Sequence, residues 1–416
     1  MKRSTLLAAL LLTALFADAF AQRSLSVRVP TARELARFGL ERAWASQATI
    51  EIGRDVVRYM VLDEDNLYVQ ASGGTVTAFD NETGKKRWAL QLGDKDEPSF
   101  AATSNDEMVL IIAGIHMYSV EKFSGDLLWT LKMTKQASTS PVVDEDQVYF
   151  GSLDGSVHAY DLKKIRELHD QDRLPQWTNV AYNWRYKSAR EVTSPPVVGG
   201  GLIHFASRDA SLYAITAGER KLQWQFETRK PISAALGTSG GVLFLASEDF
   251  NVFCVDKITG SIRWQFIAGL PIRVQPRVIN DDVYVFPARG GMNCLSRISG
   301  RRKYWRPNYV DFVGATRQLL FVSDRVNNLV VLSRKDGALV GALPYRGYKY
   351  RYANELTDRI YMATQTGLVV CLREIGQEFP TFHLYPERQP ILPEFTPEED
   401  EDPAAAAAPA AAPASF

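Results

Sequence analysis

From Leu40 to Ile375 the chain is written in short apolar runs broken by turn residues. Strand-like stretches such as Asn251-Val252-Phe253-Cys254-Val255 dominate, and helical spacing of apolar residues is nearly absent inside them. A period near two predicts β-strands. The clearest stretch is Val148 to Asp161. Val148, Tyr149 and Phe150 suit a pleated, half-buried surface. Asp154-Gly155 is hairpin-turn chemistry, and Val157, Ala159 and Tyr160 resume the strand.

This hairpin sits inside a longer unit. Thr139 to Val143 predicts a short strand before it, and Asp144-Glu145-Asp146 a polar turn. After it come a turn with Gly and a strand bearing Trp. Three markers repeat. Trp falls at 44, 88, 129, 184, 224, 264 and 305, in steps of 44, 41, 55, 40, 40 and 41. Turns fall at Thr83-Gly84, Ser124-Gly125, Ala217-Gly218, Thr259-Gly260, Ser299-Gly300 and Asp336-Gly337. An apolar pair opens the central strand in eight copies, from Leu67-Tyr68 to Ile360-Tyr361. Four short strands in about 40 residues are the signature of a propeller blade. The expected fold is all-β, a single closed eight-bladed β-propeller. The eighth copy lacks a Trp strand, whereas Trp44 precedes the first complete copy. An N-terminal strand completing the last blade would close the ring and remove two open edges. Before it, Thr31 to Phe38 predicts a short helix capped by Thr31 and ended by Gly39, with Leu35 and Phe38 inward.

The ends differ from the body. Residues 1–21 have the layout of a secretory signal: Lys2 and Arg3, an apolar stretch from Leu6 to Phe16, and Ala19-Phe20-Ala21 before the cleavage point. The apolar run is too short for a comfortable membrane span, and no later run is long enough. Residues 22–40 form the lead-in, 41–376 the propeller and 377–416 a Pro/Ala-rich acidic tail whose composition predicts disorder. The chain carries 48 basic and 48 acidic residues, which gives no reason to expect nucleic acid as a partner.

The pattern Ser-Pro-Val-Val, Val-Tyr-Phe-Gly-Ser-Leu-Asp-Gly, Ala-Tyr-Asp, Thr-Gly, Trp resembles the repeat of the pyrroloquinoline-quinone-type eight-bladed propellers. The resemblance covers roughly Leu40 to Ile375. That superfamily holds quinone-dependent alcohol dehydrogenases and non-catalytic envelope proteins of the BamB type. The shared residues build blades, so the resemblance implies architecture before activity.

The chemistry-bearing residues favour the non-catalytic branch. The regularly placed Trp residues are expected to wedge between blades. Cys254, Cys294 and Cys371 replace the Ala seen at Ala78, Ala159 and Ala214, and in separate blades they are expected to be buried free thiols. No adjacent Cys pair occurs, which the quinone-dependent dehydrogenases characteristically carry. Asp154, Asp209 and Asp249 read as separate turn residues, and the five His show no metal-ligand spacing. No nucleophile elbow, phosphate-binding Gly loop or paired catalytic carboxylates are present. No catalytic, cofactor or metal residue is assigned.

Two breaks in the repeat are candidates for partner binding. Lys163 to Tyr182, an extra loop in blade three, carries Arg166, His169, Arg173 and Trp177. A plain surface insertion is the equal alternative. Tyr345 to Tyr352 alternates aromatic and basic residues, including Arg346, Tyr348, Lys349 and Tyr350. Strand alternation would put Tyr348, Tyr350 and Tyr352 on one face, able to grip an acidic peptide or a glycan. The plain reading, a blade junction where Tyr replaces the missing Trp, is preferred on packing grounds. The leading expectation is an exported, non-catalytic binding scaffold of the cell envelope, periplasmic or extracellular, a monomer with envelope proteins or glycans as partners. The alternatives are a quinone-dependent dehydrogenase or quinone sensor, with pyrroloquinoline quinone and calcium as its cofactors, and a carbohydrate-binding propeller.

Overall fold

Each repeat is a four-stranded antiparallel sheet, and eight such sheets follow one another around a ring. The computed structural model describes residues 27–174 and 178–383. The expected secretory signal at 1–21, Trp177 and the tail beyond 383 lie outside the described residues. Within a blade the strands run in sequence order, as in blade one: Val57–Leu62, Asn66–Ala71, Thr75–Asp80, Lys86–Gln91. The two middle strands are the most apolar and the most buried, Met108–Ala113 being buried throughout. The outer strand alternates buried and exposed, because only one of its faces meets the next blade.

Blade eight is closed by Leu40–Gln47, which pairs antiparallel with Leu368–Glu374 and sets Trp44 opposite Cys371. The lead-in helix Ala32–Ala36 precedes this strand. At its start the Glu34 carboxylate reaches back to accept from the Thr31 N–H at 3.1 Å and its hydroxyl at 2.7 Å. Gly39, with φ of 68°, turns the chain into the strand.

Blades interlock through one repeated contact. The outer-strand Trp lies on the turn glycine of the following blade. A side chain at Gly125 or Gly260 would collide with Trp88 or Trp224. The indole N–H then donates to a carbonyl of that blade, Trp88 to Lys122 at 3.0 Å and Trp264 to Arg297 at 2.8 Å. A large aromatic surface is buried and its polar atom satisfied in one contact.

Four blades depart from this plan. In blade four the left-handed turn residue is Arg220 and Gly218 meets no Trp, although Trp184 still donates to the Ala217 carbonyl at 2.7 Å. In blade six the wedge is Tyr304, not Trp305. Tyr304 sits opposite Cys294, contacts Gly337 and donates to the Arg334 carbonyl at 3.1 Å. Trp305, one residue on, is turned outward and 46 % exposed. In blade seven the Trp position is Gly341, and Phe38 of the lead-in fills the space above it. No tyrosine of 345–352 takes that place. In blade three the Gly turn is absent, and helix Leu162–Asp170 replaces it. Leu162, Ile165 and Leu168 pack in the cluster that contains Trp129. The expected loop is therefore a helix on the core, capped by Asp161, followed by a short helix at Thr178–Ala181.

Residues 377–383 pack against blade eight. Thr381 N–H donates to Asp358, and Arg359 donates to the Glu378 carbonyl. Arg359 itself is fully buried and reaches Glu82 of blade one at 3.1 Å and Asp358 at 3.3 Å.

Candidate functional site

The inner strands line a central channel. Where they begin, a cavity of about 610 Å³ opens between blades one, five, six, seven and eight. Blade one contributes Arg58 and Tyr59, blade six Gln275 and Arg277, blade seven Asp311, and blade eight Lys349, Tyr350 and Glu355. Inner strands elsewhere are short and uncharged, as at Thr103–Ser104, Val142–Val143 and Gly237–Ser239. Charged residues are concentrated at this part of the channel.

Some of these charges are already engaged. Arg277 pairs with Glu355 at 2.9 Å, and Glu355 also accepts the Val278 N–H at 2.7 Å. Arg351 spends its guanidinium on blade seven, donating to Ser323 Oγ at 2.7 Å and to the carbonyls of Asn327 and Tyr345 at 2.7 and 3.1 Å. Its burial lowers its pKa to about 10. Arg58 and Lys349 form no ion pair among the described residues and are exposed to the channel. Asp311 projects among Arg277 and Arg351, and crowding by protein pushes its carboxyl above the usual range despite those cations. Arg58 lies over the Tyr59 ring at 5.4 Å. Tyr352 is half-buried beside Tyr350, and its hydroxyl is pushed up to about 12 by burial. The cavity thus offers two uncommitted cations, one carboxyl of raised pKa and tyrosine faces. It can hold an extended anionic segment by paired charge and ring contact.

The candidate residues named from sequence fall in three places. Lys349 and Tyr350 line the cavity. Arg346 is exposed beside blade seven, with Nε 3.0 Å from Asn328 Oδ1. Tyr348 is buried against Tyr345 and the lead-in, its hydroxyl donating to the Arg28 carbonyl. The shared tyrosine face does not form. Only Tyr350–Arg351 is strand, and the turn Tyr345–Tyr348 breaks the alternation. On the far side of the ring Arg166 pairs with Glu107 at 3.0 Å, His169 is exposed, and Arg173 donates to Gln171 at 3.3 Å. The insertion and the cavity are separate surfaces. Sequence reasoning missed Arg58, Arg277, Asp311 and Glu355. For Arg58, Arg277 and Asp311 the signal was charge on innermost strands that are otherwise short and uncharged.

The hairpin aspartates serve their own turns, Asp154, Asp209 and Asp249 accepting from the N–H two residues on at 2.9 to 3.1 Å. Among the described residues no cluster of three or more His, Cys, Asp or Glu could hold a metal. The three Cys are buried and free, and burial raises Cys254 to about 11 and Cys294 to about 12.

A family model described as outer membrane protein assembly factor BamB matches the chain over residues 41–114, 72–183 and 181–340. Among solved structures, BamB from Moraxella catarrhalis superposes with a TM-score of 0.60 at 15 % identity, covering 80 % of this chain and 99 % of that one. The computationally designed Ika8 protein gives 0.60 at 13 % identity, covering 76 % and 96 %. At such identities the structural likeness is one of fold. No curated protein sequence matches the chain.

Proposed function

The chain belongs to the family of the outer membrane protein assembly factor BamB, and from that premise we propose that it is an exported, non-catalytic scaffold of the cell envelope that binds extended segments of other envelope proteins. The observation that carries this reading is the channel cavity, where Arg58 and Lys349 stand uncommitted beside Tyr59 and Tyr350. Cations beside aromatic faces suit the acidic and apolar side chains of a peptide. A quinone with calcium finds less support. Calcium takes six to eight oxygen ligands, and of the two carboxylates here Glu355 is held by Arg277 and Val278. Family membership supports an envelope role, and no helix among the described residues is long and apolar enough to cross a membrane.

The test is photo-crosslinking from Tyr350 and from Arg166 in an intact envelope. The cavity reading expects a partner captured at Tyr350 and lost in Arg58→Glu/Lys349→Glu. Capture at Arg166 alone would move the partner site to blade three. Deleting the blade-three insertion is not a clean control, because its helix covers Trp129. Saturable binding of pyrroloquinoline quinone with dye-linked alcohol oxidation would overturn the scaffold reading.

A further inference from the structure

The end of the ring opposite the cavity carries the turns between first and second strands and between third and fourth. There two clefts share Arg317, Gln318, Leu319 and Arg334. The first is closed on one side by Thr381, Phe382 and His383, where the described chain ends. The second runs on to Lys303 and Lys335 of blades six and seven. Together they form one groove that begins where the tail departs.

The lining sets Arg317, Arg334, Lys303 and Lys335 against Asp282, Asp358 and Glu374, and Asp358 is held by the buried Arg359. Asp282 is consumed by Lys303 and Arg334, which binds it at 3.1 Å and also donates to the Ile279 carbonyl. Arg317 and Lys335 are exposed and form no ion pair among the described residues, and neither do Arg301 and Arg302 at the adjacent blade-six strand. Ile375 lines it and is 54 % exposed. The chain that follows has the complementary character. Residues 384–402 hold seven acidic residues against Arg388 alone, five of them in the run Glu398 to Asp402. Apolar residues precede that run, among them Ile391, Leu392 and Phe395.

We propose that the acidic segment Glu398–Asp402 of this chain's own tail docks in the basic groove of blades six and seven, against Arg317, Lys335 and the neighbouring arginines. Fourteen residues lie between His383 and Glu398. Extended, they reach about 50 Å, well past the neighbouring blade. Tethering sets the effective concentration near millimolar, so weak ionic contacts suffice. The inference is independent of the channel cavity.

The full-length protein is treated with a carbodiimide, which joins amines to carboxylates in contact. The expected result is intramolecular amide links from Lys335 or Lys303 to the 394–402 segment, independent of protein concentration and several-fold weaker in 0.5 M salt, a concentration at which screening is strong. In parallel, a full-length variant carrying Glu398→Gln, Glu399→Gln, Asp400→Asn, Glu401→Gln and Asp402→Asn is digested with trypsin under native conditions. Cleavage after Arg301, Arg302 and Lys335 is expected to be several-fold faster than in the parent. The proposal is overturned by links spread over lysines of other faces such as Lys95 and Lys187. It is equally overturned by links only between two chains, or by equal cleavage of both proteins.

Discussion

Arg359 of the closing blade lies 3.1 Å from Glu82 of the first, a pair that spans the joint of the ring. Its side chain is 1 % exposed, and Asp358 and the Glu378 carbonyl complete its shell. Burial raises the carboxyls of both Glu82 and Asp358 in spite of the cation, so each depends on Arg359 to stay ionised. Arg359→Ala leaves two acids without a cation, Asp358 keeping the Thr381 N–H. Denaturant unfolding is expected to show a loss of roughly 3–5 kcal/mol. A loss under 1 kcal/mol would mean that water replaces the guanidinium.

Phe38 and Gly341 give a second prediction. Phe38→Ala empties the place of the missing blade-seven Trp. The ring is half-buried, so the cost is on the order of 2 kcal/mol, below the range for a fully buried Phe. Phe38→Leu recovers part of that in the same melt.

Blade six separates two neighbouring aromatics. Tyr304→Ala removes a wedge and its hydrogen bond to Arg334, and should cost about 3 kcal/mol or more. Trp305→Ala removes a largely exposed ring and should cost less than about 1 kcal/mol. The reverse order would restore Trp305 to the wedge.

These contrasts show what could be read in advance. The blades were legible because strand period, turn glycine and Trp all recur locally. The Tyr304 register was legible too, and was overlooked. Each wedge falls four residues after the left-handed turn residue: Gly84 to Trp88, Gly260 to Trp264, Gly300 to Tyr304. The same count reaches Gly341, which announces a vacancy without saying what fills it. Phe38 could not be found that way, since its contact joins residues about 300 apart. The blade-three helix was visible in the spacing of Leu162, Ile165 and Leu168, three residues apart. The cavity was half legible. Lys349 and Tyr350 stood out as a break in the repeat, whereas Arg58 and Asp311 join them only once the ring is closed.

Acid should weaken the fold through its histidines. Burial lowers His158 and His383 to about 4, and lowers His204 as well. The folded form keeps these rings neutral, whereas the unfolded chain takes up protons near pH 6.5. Stability is therefore full above about pH 6.5 and falls as pH drops toward 4, by at most about 3 kcal/mol per strongly shifted ring. Glu82 and Asp358 act in the opposite sense, their raised carboxyls favouring the fold in acid. Melting at pH 7 and pH 4.5, before and after His158→Gln, measures the histidine share. An unchanged pH difference in the variant would remove His158 from the account.

The thiols give a kinetic readout. Cys254, Cys294 and Cys371 are buried, and burial raises all three. A thiol reagent at pH 8 should label none of them in minutes and all of them in denaturant. Rapid labelling of Cys371 alone would report opening of the strand Leu40–Gln47 that covers it.

That closing strand also sets an order of events. Leu40–Gln47 leaves the ribosome early, yet its partner Leu368–Glu374 is made more than 300 residues later. Throughout synthesis the last blade cannot be assembled, and both ends of the growing arc keep bare strand edges. The ring therefore cannot close until Leu368–Glu374 has been made, so its two ends meet as the last step of folding.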